Sequence, residues 1–231
     1  MNIIHQSEGK IDTDQMYSFD YPFDRKLLVD IFNEIEYTTH HWPWLENKPG
    51  SGWYRRGWDF PDVAKRTNLH PYIKGLVDFF DFEYCAVWYF HNTKTFEFPI
   101  HTDSNSYRSV TNGPVKKKYK MKPGWPANYQ EIKGNGSLGS INVLLSEDWC
   151  KDSSPQACSF TYENQFNQGL DTLDYYKSPN DWQYYYHTAL LNTNWPHYLT
   201  MDGVHERLLF RFSIYQDDFF KVKERLKHLG L

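Results

Sequence analysis

The chain has 231 residues, a formal net charge of −4, 19 % aromatic residues and nine tryptophans. That length suits one sizeable β domain as well as two small ones, the aromatic content excludes a disordered chain, and the slight negative charge gives no footing for bulk nucleic-acid or anionic-membrane binding. Cys85, Cys150 and Cys158 lack C-x-x-C spacing, the N-terminus lacks a secretion-signal layout and no apolar run reaches membrane-spanning length, so neither a disulfide framework nor a membrane anchor is expected and a cytoplasmic protein is.

Met1 to Tyr21 is polar without a clear period and suits an edge strand or an arm. The first predicted helix runs from Asp24 to Glu36, with Leu27, Leu28, Ile31, Phe32 and Ile35 at helical spacing behind Asp24 as cap. The Trp-, Pro- and Gly-rich stretch from His40 to Asp62 reads as a loop. Its His40-His41 pair is not taken as a metal site, because adjacent residues rarely face one centre and no carboxylate stands at a useful spacing. A second helix is expected from Pro71 to about Phe80, with proline in its first turn and Ile73, Leu76, Val77 and Phe80 on one stripe.

From Glu83 onward strands dominate. Expected are Tyr84 to His91, Phe98 to Asp103, Tyr107 to Val110, Leu138 to Leu145, Ala157 to Tyr162, Tyr185 to Leu191, His197 to Thr200 and Arg207 to Tyr215. Asp217 or Asp218 caps a final helix from Phe219 to about Leu229, with Phe220, Val222 and Leu226 available for packing. The fold class is therefore mainly β with flanking helices. A single domain over 1–231 is expected, made of an N-terminal arm and helical buttress (1–82), a β core (83–216) and a C-terminal helix (217–231). The lysine-rich connection between Ser104 and Gly136 reads as a solvated loop or a lid, and the aromatic one between Asn164 and Tyr186 as a cover over a site or as barrel padding.

Within the strand-like Phe98–Ser104 run, His101 and Asp103 lie two residues apart and point the same way. A second histidine, His197, follows Pro196, and the turn chemistry of Met201-Asp202-Gly203 precedes the run from Arg207, so this region reads as a hairpin. On the returning strand Arg207, Leu209, Arg211 and Ser213 share a face, with Arg207 ten positions after His197. An arginine on an inner strand face needs an anion. Two histidines and one carboxylate are the ligand set of a non-haem Fe(II) centre that activates oxygen, and a planar guanidinium suits the far carboxylate of a dicarboxylic cosubstrate.

Through His101-Thr102-Asp103, Pro196-His197, Arg207 and Arg211-Phe212-Ser213, the stretch from Tyr84 to Tyr215 resembles the 2-oxoglutarate- and Fe(II)-dependent dioxygenases, nearest in spacing to the small prolyl- and aspartyl-hydroxylase-like members of bacteria and phages. The resemblance implies a double-stranded β-helix of the jelly-roll, cupin-like kind. It implies Fe(II) held by His101, Asp103 and His197, 2-oxoglutarate as cosubstrate, O₂, and hydroxylation of a peptide side chain or small metabolite. Arg207 is expected on the cosubstrate's 5-carboxylate, with Arg211 and Ser213, an R-x-S signature, as the competing assignment. An aspartate at 103, where the family's halogenases carry a small residue, argues against halogenation. Tyr89 and Asn142 are secondary candidates, a phenol and an amide that could reach the cosubstrate; His187 is expected to pack within a strand and His205 to be solvated in a turn. Two other readings stand beside this one. A cupin-like hydrolase or isomerase could use Zn²⁺ or Mn²⁺ at the same ligands, and a non-catalytic jelly-roll module could bind carbohydrate through surface aromatics.

Overall fold

The computed structural model describes residues 2–35, 53–92, 98–101, 103, 137–146, 159–162, 182–193, 197–200, 206–215 and 217–231. Their strands are β1 (Asn2–His5), β2 (Met16–Ser18), β3 (Trp53–Trp58), β4 (Cys85–Asn92), β5 (Phe98–His101), β6 (Gly139–Leu144), β7 (Ser159–Tyr162), β8 (Trp182–Tyr185), β9 (Thr188–Leu191), β10 (His197–Thr200) and β11 (Arg207–Ile214). The helices are α1 (Arg25–Glu34), α2 (Phe60–Lys65), α3 (Pro71–Phe79) and α4 (Phe219–His228).

The strands form two sheets. One is six-stranded and antiparallel, in the order β2-β9-β6-β11-β4-β3, and the other five-stranded, β1-β8-β7-β10-β5, antiparallel except for the parallel β1–β8 pair. From β4 to β11 the chain is dealt between them: β4, β6, β9 and β11 go to the larger sheet, and β5, β7, β8 and β10 to the smaller.

Helices α1, α3 and α4 cover one face of the larger sheet, joined there by Val63 of α2, and the first three do so for reasons visible in their sequences. The Asp24 carboxylate accepts from Leu27 N at 2.9 Å, fixing the start of α1, and the Asp218 carboxylate does the same for α4 through Lys221 N at 3.0 Å. Pro71 opens α3 where no backbone N–H is required. Their apolar stripes (Leu28, Ile31 and Phe32; Ile73, Leu76 and Val77; Phe219, Val222 and Leu226) pack on Val87, Tyr89, Ile141, Val143, Phe210 and Phe212 in one core. A smaller core with Met16, Leu144, Tyr184, Ala189, Leu191 and Leu209 fills one end of the space between the sheets.

Several expectations need correction. The run from Tyr185 to Leu191 is two strands, broken at Tyr186-His187, where the chain leaves the smaller sheet and enters the larger one. His187 is therefore exposed at the crossing and does not pack within a strand. His197 and Arg207 do not form a hairpin: β10 pairs with β5 and β7, whereas β11 pairs with β4 and β6. An apolar-polar pattern cannot distinguish a turn that folds a strand onto its own sheet from one that carries it across a sandwich. Phe220 faces solvent at 51 % exposure, and Phe219 is buried in its place. The expected strand from Tyr107 to Val110, the His40-His41 pair, His205 and nearly all of the two long connections lie outside the described residues.

Strand β3 and the first residues of helix α2 fall in the stretch from His40 to Asp62 that reads as loop. Consecutive arginines flanked by Trp, Gly and Pro look like a solvated connection, but strand parity sends the two arginines to opposite faces. Arg56 faces the helices and donates through Nη1 to Phe32 O at 3.0 Å and Ile35 O at 3.3 Å, satisfying carbonyls at the end of α1. Arg55 goes to the other side.

Candidate functional site

The face of the larger sheet turned toward the smaller one is polar where β3, β4 and β11 meet. Because antiparallel partners share a face, the register reads as rows across the sheet. Trp53, Asn92 and Arg207 make one row, Arg55, Phe90 and Leu209 the next, and Gly57, Trp88, Arg211 and Asn142 the third. Ser213 lies beyond, opposite Ala86 and Ser140. Arg55, Asn92, Asn142, Arg207 and Ser213 are all buried. The sandwich interior therefore has an apolar end and a charged end.

On the smaller sheet, His197 in β10 lies in register with His101 in β5, and a bulge follows between His197 and Leu199. Antiparallel partners hold their Cα atoms about 4.5–5.5 Å apart, so the two histidines start from neighbouring points. The His101 side chain lies outside the described residues. His197 is 1 % exposed, and its Nε2 stands 3.8 Å from Asp103 Oδ1. The other oxygen, Oδ2, accepts from Arg211 Nη2, so the larger sheet anchors a carboxylate carried by the smaller one. Asp103 N also donates to Thr193 O at 3.0 Å, and Thr193 Oγ1 donates to Ser137 O at 2.9 Å. Asp103 is thus fixed by both its backbone and its side chain.

Two donors about 2.1 Å from a common ion stand about 3.0 Å apart at adjacent octahedral positions and at most about 4.2 Å apart, so at 3.8 Å His197 and Asp103 are within reach of one ion and would close by under 1 Å to bind it as adjacent ligands. One imidazole nitrogen and one carboxylate oxygen, with a second imidazole-bearing residue in register, fit a divalent transition metal. Among the described residues no three His, Cys, Asp or Glu side chains cluster as a complete site.

No protein-family model and no curated protein matches the chain. In structure it is similar to HygX from Streptomyces hygroscopicus with nickel and 2-oxoglutarate bound, with a TM-score of 0.45 and 14 % sequence identity over 86 % of this chain and 81 % of that one. It is similar to an oxidoreductase of the 2OG-Fe(II) oxygenase family from Burkholderia pseudomallei, with a TM-score of 0.42 and 9 % identity over 88 % of this chain and 84 % of that one. It is also similar to a Pseudomonas putida prolyl-4-hydroxylase, with a TM-score of 0.42 and 11 % identity over 87 % of this chain and 91 % of that one.

The two candidate arginines stand in different surroundings. Arg211 has the Asp103 carboxylate. Arg207 is 4 % exposed, its Nε has no hydrogen-bond partner, and no counter-ion faces it among the described residues. Asn142, opposite Arg211, donates from Nδ2 to the Tyr186 hydroxyl at 3.0 Å, while its Oδ1 has no partner among the described residues.

Tyr89 does not belong to this face. It lies against Phe32 and Phe210 under the helices, with its hydroxyl pushed above the ordinary phenol range by burial. Strand parity puts it on the opposite side of β4 from Trp88 and Phe90, so a bond to a ligand beside Arg207 is out of its reach.

Residues that sequence reasoning missed join the site from β3, β4 and the end of β11. Arg55 stacks on the Trp88 ring with 4.1 Å from Cζ to the centroid. Burial pulls its guanidinium below the ordinary arginine value; Tyr215 and Asp59 oppose that shift, and Arg211 adds to it. Burial likewise raises the Tyr215 phenol, which feels Asp59, Arg55, Arg211 and Asp103. Asn92 is the other missed residue, fully buried beside Arg207. Alternation within Trp53-Tyr54-Arg55-Arg56-Gly57-Trp58 was the available signal for Arg55. For Asn92 the signal was an amide two residues beyond Phe90 at the end of an apolar strand.

Proposed function

We propose that the protein is a 2-oxoglutarate- and Fe(II)-dependent dioxygenase that hydroxylates a C–H bond of a peptide side chain or small metabolite. The observation that carries the reading is the approach of His197 Nε2 to Asp103 Oδ1, with His101 in register across the strand pair. The distribution of β4 to β11 between two sheets, changing sheet at every step except from β7 to β8, supports a double-stranded β-helix, and a core shared by residues from Tyr17 to Leu226 supports one domain over the whole chain.

His101, Asp103 and His197 are the residues that would hold iron, leaving positions for the cosubstrate and O₂. Fe(II), when bound there, supplies the redox chemistry that couples oxidative decarboxylation of 2-oxoglutarate to hydroxylation of substrate. The protein's own part is positional. Arg211 holds Asp103 Oδ2 so that Oδ1 stays turned toward His197. Arg207 receives the distal carboxylate of the cosubstrate: its positive charge is buried without a counter-ion among the described residues, whereas that of Arg211 is already matched. Asn142 and Ser213, on the same face, are further polar contacts for the bound acid.

Anaerobic addition of Fe(II) and then 2-oxoglutarate to the apo-protein is expected to produce the weak visible charge-transfer band of bidentate chelation, and His197→Ala to abolish it. Metal binding without a band would point instead to a cupin-like hydrolase or isomerase, and absence of metal binding to a carbohydrate-binding module. The two arginines separate in the same assay. Arg207→Ala should raise the 2-oxoglutarate concentration required by about 100-fold with metal affinity unchanged, as expected for loss of a charge-assisted bidentate contact. Arg211→Ala should instead weaken metal binding by about 10–100-fold, as loss of an outer-shell partner does. The reverse pattern would exchange their roles.

A further inference from the structure

Asn92 ends β4 on the inner face of the larger sheet, in register with Arg207 on one side and Trp53 on the other. It is 0 % exposed, and neither Nδ2 nor Oδ1 has a hydrogen-bond partner among the described residues. Leaving one buried amide atom unpaired is unfavourable, and leaving both unpaired beside a buried guanidinium is more so. The contrast with the rest of the face is one of degree: Arg211 leaves Nε and Asn142 leaves Oδ1 unpaired, but each has one partner, the Asp103 carboxylate and the Tyr186 hydroxyl, whereas Asn92 has none among the described residues. Two neighbouring side chains thus offer N–H groups to an acceptor that the described residues do not provide.

We infer that Asn92 is a second recognition group for the distal carboxylate of the bound 2-oxo acid, and that its neutrality keeps the Arg207 subsite open. This rests on the dioxygenase reading above. A carboxylate has about four lone-pair sites; the guanidinium fork engages two and an amide N–H can take a third. The amide oxygen can accept from the Arg207 Nε–H or from water. An aspartate of nearly the same shape would place a fixed carboxylate against Arg207, and the subsite would be filled by the protein itself. Neutral Asn92 therefore selects a 2-oxo acid with a second carboxylate over one with an apolar tail.

The test compares two probes on the Fe(II)-loaded protein under anaerobic conditions, by calorimetry and by the charge-transfer band: 2-oxoglutarate, and 2-oxopentanoate, which chelates identically but lacks the distal carboxylate. Wild type should prefer 2-oxoglutarate. Asn92→Asp should weaken 2-oxoglutarate on the order of 100-fold, leave 2-oxopentanoate and iron affinity within twofold, and raise the denaturation midpoint of the metal-free protein, because the new carboxylate pairs with Arg207. Asn92→Leu, which keeps the Arg207 charge but removes the amide, should weaken 2-oxoglutarate about 10-fold and leave 2-oxopentanoate within twofold. Equal weakening of both probes by either variant would assign Asn92 a structural role and overturn the inference. Unchanged 2-oxoglutarate affinity in both variants would overturn it too, with the dioxygenase reading intact. Failure of the wild type to bind 2-oxoglutarate would remove that reading and the inference together.

Discussion

Asp103→Ala is expected to abolish 2-oxoglutarate turnover and also to destabilise the metal-free fold by about 3 kcal/mol, the scale on which removing one partner of a buried ion pair acts. Both effects follow from how the carboxylate divides its oxygens. Oδ1 faces His197 Nε2 at 3.8 Å, the position of a ligand in the proposed centre, while Oδ2 joins Arg211 across the two sheets. The side chains of Asp103 and Arg211 are only 14 % and 13 % exposed, so truncating Asp103 strands a guanidinium with little water to compensate. The double variant Asp103→Ala/Arg211→Met separates the two roles. It should regain much of the stability in urea denaturation, because no unpaired charge remains, and yet bind iron no better than the single variant. A double variant as unstable as Asp103→Ala would mean that the bond from Asp103 N to Thr193 O, rather than the ion pair, is what the substitution disturbs.

That division of labour was only partly legible in the sequence. Two-residue periodicity groups Arg207 with Arg211 and Ser213, and the register of β11 keeps that grouping, whereas the matching reading of His101 with Asp103 rests on a side chain outside the described residues. Helical spacing gave α1, α3 and α4 to within a few residues, because capping and an apolar stripe are local properties. Which sheet a strand joins is not local. The stretch from Tyr185 to Leu191 has one continuous pattern and two destinations, and the link between β10 and β11 carries turn residues without making a hairpin. Parity groups Tyr89 with Val87 and His91 on the strand entering the site, but parity alone cannot tell which face of β4 the helices cover. Arg55 was missed because a strand whose two arginines serve opposite faces, one stacked on Trp88 and one on the end of α1, has no net amphipathic signature. Asn92 was missed because its meaning comes from Arg207, more than a hundred residues later in the chain.

Gly57→Ala should be the most damaging small substitution outside the site, costing about 3–5 kcal/mol and displacing β3 from β4. Gly57 has φ +145°, where L side chains rarely sit, and a Cβ built there would stand 2.1 Å from Val87 O and 3.0 Å from Trp88 Cα. Those are backbone atoms of the neighbouring strand and cannot swing away. Gly9 separates strain from clash: its φ is +144°, but a Cβ there would meet nothing within 4 Å. Gly9→Ala should therefore cost only about 1–2 kcal/mol, the strain alone. The difference between the two denaturation midpoints isolates the contact of β3 with β4. It also bears on the site, because Arg55 lies two residues from Gly57 on the same face and stacks on Trp88, the register partner of Gly57. If β3 is held close by the missing side chain at 57, Gly57→Ala should perturb tryptophan fluorescence in the fraction that still folds, whereas Gly9→Ala should not. Equal losses of stability would mean that backbone conformation, and not close approach, is what glycine provides at position 57.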